Sequence, residues 1–131
     1  MKWNLKHLGR ALLGGLIVWV VPFAVSLPLH DQSGNLVIDI FTFKTVMILV
    51  SSATGLFLLA RQIPGFAPSY AKNGLILSLI WLGLNWALDF LVLIPLSGMS
   101  VSEYFLSTGL RYLNMPLSGF FIGLALDARE K

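Results

Sequence analysis

Four long apolar stretches constrain this chain more than any other feature. A helix needs about 20 apolar residues to cross the hydrocarbon core of a bilayer. Stretches over 9–27, 40–60, 74–94 and 103–126 meet that requirement and use up most of the 131 residues. Charged residues make up only 11 %, against about a quarter in soluble domains, too few to clothe a water-facing surface. The expected fold is all-α, a single four-transmembrane-helix bundle occupying 1–131 with no separate soluble domain. A soluble enzyme and a nucleic-acid binder are excluded on the same ground.

The punctuation between the stretches agrees. His30 to Asn35 is a polar turn, Ile63-Pro64-Gly65 and Ala67-Pro68-Ser69 break the second connection, and Pro95 to Gly98 ends the third stretch. Ser100 and Glu103 have the spacing of a capping box, which predicts a helix start at Val101. A continuous helix over 101–127 would be about 40 Å long. The first stretch has the basic flank of a signal peptide in Lys2 and Lys6, and Ala24-Val25-Ser26 resembles a cleavage site. It is long for a signal core and is expected to stay as a span.

Orientation follows from the basic residues. Lys2, Lys6, Arg10, Arg61, Lys72, Arg129 and Lys131 fall at the two termini and the second connection, whereas the first and third connections hold only Asp31, Asp39 and Glu103. The positive-inside rule therefore predicts a cell-membrane protein with both termini cytoplasmic. The net charge of +3 reflects these flanks and says little about a partner.

Two basic residues, Lys44 and Arg111, and one acid, Asp89, lie within the apolar stretches. Each costs about 2.5–3.5 kcal/mol at a helix centre if left alone. Asp89 is about 9 Å before the outward exit at Pro95 and Arg111 about 12 Å past Glu103, at 1.5 Å per residue. Lys44 lies within about two turns of the same surface. At 100° per residue, Lys44, Ser51 and Gly55 share one helix face, Ser78, Asn85 and Asp89 a second, and Ser107, Arg111, Asn114 and Ser118 a third. Such stripes turn toward other helices or water.

Two readings follow. Lys44, Asn85, Asp89, Arg111 and Asn114 form an outward-facing polar cavity, with Asp89 and Arg111 paired and the surplus cation attracting a small anion or a lipid headgroup. Alternatively, they only fix helix packing, or Lys44 and Arg111 snorkel to the interface. Pro116 would free the Tyr112 carbonyl and act as a hinge. Ala11 with Gly15, and Gly119 with Gly123, allow close helix approach, within one protomer or between copies of a homo-oligomer. His7 and His30 fall on opposite sides, so no metal site is expected, and no nucleophile–base or phosphate-binding motif is present. Neither a catalytic residue nor a cofactor is expected.

Asn85-Trp86-Ala87-Leu88-Asp89 through Pro95, then Gly98-Met99-Ser100, Tyr104-Phe105 and Gly109-Leu110-Arg111-Tyr112 to Pro116, resembles uncharacterised small prokaryotic four-span membrane proteins. The resemblance covers the C-terminal third and implies a multi-pass inner-membrane protein with no assigned activity. The size also suits small multidrug transporters, GtrA-like proteins and fluoride channels, but the first span lacks the embedded glutamate of the multidrug type. The leading expectation is a small transport or permeation protein, with a non-catalytic accessory protein as the alternative.

Overall fold

The computed structural model describes residues 5–66 and 69–130. Lys2, Trp3, Ala67, Pro68 and Lys131 lie outside the described residues, as does the side chain of Ser107. The described chain is all-helical. Helix α1 spans Leu5–Ser26, α2 Ile40–Gln62, α3 Tyr70–Leu88, α4 Ile94–Ser97, α5 Val101–Ser107 and α6 Asn114–Glu130. Among the described residues, and with the short turns that continue them, three helices are long and apolar enough to cross a membrane: Leu5–Leu29, Ile40–Phe66 and Tyr70–Leu96.

Each boundary has a local cause. Asp31 closes the first turn by accepting from the backbone N–H groups of Ser33 and Asn35, both at 2.9 Å. Gly34 adopts the left-handed φ of +85° that this turn requires. Asp39 caps α2 through the N–H groups of Phe41 and Thr42. Ser100 caps α5 by accepting from the Glu103 N–H at 3.2 Å, so α5 begins at Val101. The Ser69 side chain leaves the start of α3 uncapped. Asp127, near the far end of α6, takes its place by accepting from the N–H groups of Tyr70 and Ala71 at 3.0 and 2.9 Å.

Helix α3 is the centre of the molecule. Its buried residues Tyr70, Asn73, Gly74, Leu77, Ser78, Trp81, Leu82 and Asn85 recur at helical three- and four-residue spacing. Its closest partner is α6. A Cβ at Gly119 would sit 2.6 Å from the Gly74 carbonyl oxygen, and one at Gly123 would sit 2.5 Å from the Ala71 Cα. The two glycines of α6 are therefore occupied against α3 within one protomer. On its other side α3 meets α1, where the Trp81 indole donates to the Ala11 carbonyl at 2.8 Å. Ala11 is fully buried there, and a Cβ at Gly15 would meet Leu84 at 2.9 Å.

Consecutive long helices run antiparallel, which leaves α1 and α3 parallel, with Ala11, Gly15 and Trp19 meeting Trp81, Asn85 and Asp89 in register. Gln62 reaches the Arg10 carbonyl at one end, where Asp127 also caps α3. Arg10, Arg61, Lys72 and Arg129 gather at this end. The opposite end carries the His30–Gly34 turn and the start of α5.

The expected unbroken helix over 101–127 is interrupted. Helix α5 ends at Ser107, Thr108 leaves helical geometry at φ −138° and ψ −51°, a tight 3-10 turn runs over Gly109–Leu113, and α6 follows. Two residues explain the break. Gly109 lies so close beneath Tyr104 and Phe105 that a Cβ would meet their rings at 2.8 and 2.7 Å. Pro116 falls in the first turn of α6, where its missing N–H deprives no helical carbonyl. The hinge expected at Pro116 is thus a helix start, and the break lies one to two turns earlier.

Candidate functional site

A cavity of about 870 Å³ opens between α1, α2 and the 108–118 segment, beneath the His30–Gly34 turn. Lys44, Ser51 and Gly55 line it from one face of α2, together with Met47 between them and Leu59 one turn further on. Arg111, Asn114 and Ser118 face it from the other side. Asp89 closes its inner wall beside Trp19 and Tyr112. The structure thus brings Lys44, Asp89, Arg111 and Asn114 to one space.

Asp89 is only 2 % exposed. Its Oδ1 accepts from the Trp19 indole N–H at 2.7 Å and its Oδ2 from the Tyr104 hydroxyl at 2.5 Å. The Tyr112 side chain faces the same carboxyl group. The expected Asp89–Arg111 pair is therefore replaced by neutral donors on α1 and α5. Neither Lys44 nor Arg111 forms an ion pair among the described residues. A carboxyl group in an apolar setting needs donors wherever it finds them, and a buried indole or phenol needs an acceptor. That mutual need is the one sequence signal for Trp19 and Tyr104, which the face-by-face reading passed over.

The backbone around Asp89 is also unusual. A π-helical turn spans Asp89–Leu93, with the Ile94 N–H reaching back to the Asp89 carbonyl. Such wide turns, inserted singly into α-helices, are frequent at functional sites. Here Pro95 supplies no N–H, and the wider turn re-registers the chain just before it. Trp86, Phe90, Tyr104 and Phe105 pack edge-to-face and tilted around this turn, with centroids 5.2–5.9 Å apart. Trp86 donates to the Gly109 carbonyl at 2.9 Å, which satisfies a backbone acceptor at the break before α6.

Asn85 differs from its expected place. It is fully buried between α3 and α1, where its amide donates to the Trp81 carbonyl at 2.8 Å and the Gly15 carbonyl at 3.2 Å. It does not line the cavity, and its Oδ1 has no hydrogen-bond partner among the described residues. Ser78 is likewise spent inside the α3–α6 contact, donating to the Gly74 carbonyl at 2.8 Å. Of the polar stripe on α3, only Asp89 meets the cavity.

Comparison with protein-family models, curated proteins and solved structures finds no match to this chain.

Proposed function

We propose that the chain is a four-span protein of the cell membrane with both termini cytoplasmic, and that it passes a solute through a cavity open toward the outer face. The α5–turn–α6 segment serves as the fourth crossing. Arg10, Arg61, Lys72 and Arg129 support the orientation, since they share one end of the bundle and the cavity mouth lies at the other. One observation carries the functional reading. Two cations without ion-pair partners among the described residues and a buried acid border a single cavity of about 870 Å³. Buried ionisable groups in membrane helices mark pathways by default.

A second reading rests on the hydrogen bonds of Asp89. Both of its oxygens are engaged by protein donors, so it also fits a non-catalytic accessory protein whose polar interior sets helix packing. Proteoliposomes separate the two. Transport predicts that the reconstituted chain accelerates movement of chloride, phosphate or tail-labelled phosphatidylglycerol over protein-free vesicles. Asp89→Asn should remove that flux while the protein stays helical and inserted. If none of the three moves faster with folded wild-type protein, the transport reading fails and the packing reading stands.

A further inference from the structure

Resting on the proposed cavity site, we infer that its ligand is an anionic amphiphile. A phosphate- or carboxylate-bearing headgroup is held by Lys44 and Arg111, and a hydrocarbon tail lies in the cleft between α2 and α6.

The first argument is size. A volume of about 870 Å³ is that of a site for a molecule of many heavy atoms, whereas one water takes about 30 Å³ of liquid. A lone small anion would leave most of the space unfilled. The second is the wall. Away from its few polar groups the cavity is lined by side chains such as Phe23, Phe43, Met47, Leu56 and Met115. A hydrated ion loses solvation against such a wall, while an acyl chain buries itself there.

The third argument is charge. The Asp89 oxygens are turned to Trp19 and Tyr104. Asp31, at the mouth, accepts from the backbone of its own turn. Lys44 and Arg111 face the cavity from its two sides without an ion-pair partner among the described residues, and both an ammonium and a guanidinium bind phosphate oxygens. The fourth is access. The buried residues of α2 are Gly55 and Leu59, and none of residues 40–54 is buried. The outer half of α2 is therefore only partly covered by the rest of the bundle. An acyl chain lying along this loosely covered side of α2 would reach Lys44 and Arg111 through the cavity they line.

Native mass spectrometry of the full chain in detergent tests this by titration with dioleoyl phosphatidylglycerol, dioleoyl phosphatidylcholine and sodium phosphate. The expected first adduct is phosphatidylglycerol, bound about tenfold more tightly than phosphatidylcholine, a ratio typical of one strong charge-assisted contact. Lys44→Gln/Arg111→Gln abolishes the preference, and Lys44→Arg/Arg111→Lys, which keeps both charges, retains it. Gly55→Leu, at a position where an added Cβ meets nothing within 4 Å, fills the cavity floor and weakens phosphatidylglycerol binding without changing charge. Equal binding of the two lipids overturns the inference, as does a preference that survives the double glutamine variant. Displacement of the lipid by excess phosphate makes the ligand a free anion and overturns it too. None of these outcomes reads flux, so specific lipid binding without transport would sink the transport reading alone.

Discussion

The Trp19 indole N–H lies 2.7 Å from the Asp89 Oδ1, joining α1 to the π turn across 70 positions of sequence. Tyr104 bonds the other oxygen from α5. One carboxyl group thus ties three elements together on the inner wall of the cavity. Anything that acts on the cavity acts on these contacts.

Removing that carboxyl group should cost more than removing either donor. Asp89→Ala removes the acceptor of both the Trp19 N–H and the Tyr104 hydroxyl, at about 1–3 kcal/mol for each hydrogen bond to a charged or buried group. Tyr104→Phe removes one donor and leaves Asp89 bonded to Trp19, so its loss should be smaller. Thermal unfolding in detergent checks the order, with Asp89→Ala melting lowest.

The glycines should divide sharply. Gly119→Ala and Gly123→Ala force a methyl group into α3 backbone and should each destabilise by about 1–3 kcal/mol, the usual range for overpacking. Gly55→Ala points into open space and should be neutral or gain up to about 1 kcal/mol from helix propensity. Unfolding midpoints of the three variants decide this.

Asp127 should behave as the missing cap of α3. Asp127→Ala exposes two N–H groups at the helix start and should cost about 0.5–2 kcal/mol. Asp127→Asn, which keeps an acceptor, should recover part of that. Hydrogen exchange at Tyr70 and Ala71 reports the effect locally, as faster exchange in the alanine variant.

The apolar helices were legible because their signals are local. Hydropathy over 20 residues marks a span, and Ser100 with Glu103 marks a helix start, without reference to anything distant. The Lys44, Ser51 and Gly55 face was legible from angular spacing alone. Spacing failed for Asn85, because a helical face says nothing about which neighbour stands against it at each level. One turn below Asp89, that neighbour is the α1 backbone at Gly15. The break at Thr108 was hidden for a related reason. It depends on Gly109 fitting beneath Tyr104 and Phe105 and on Trp86 reaching its carbonyl, all contacts between elements. Asp89 was visible as a residue needing partners, but Arg111 was the nearer guess by charge, and the actual donors are neutral aromatic groups.

Cysteine accessibility in intact cells tests the central claim most directly, that a cavity open to the outer face reaches between α2 and α6. The chain has no native cysteine, so single-cysteine variants give clean signals with a membrane-impermeant thiosulfonate. With the proposed orientation, Ser33→Cys, in the His30–Gly34 turn, should react at once, and Lys72→Cys only after permeabilisation. Leu79→Cys, exposed on the apolar surface of α3, should stay unmodified. The account predicts that Ser51→Cys and Asn114→Cys react from outside despite lying within the apolar stretches. If both stay unmodified while Ser33→Cys reacts, no outward water path reaches the cavity, and the account is wrong.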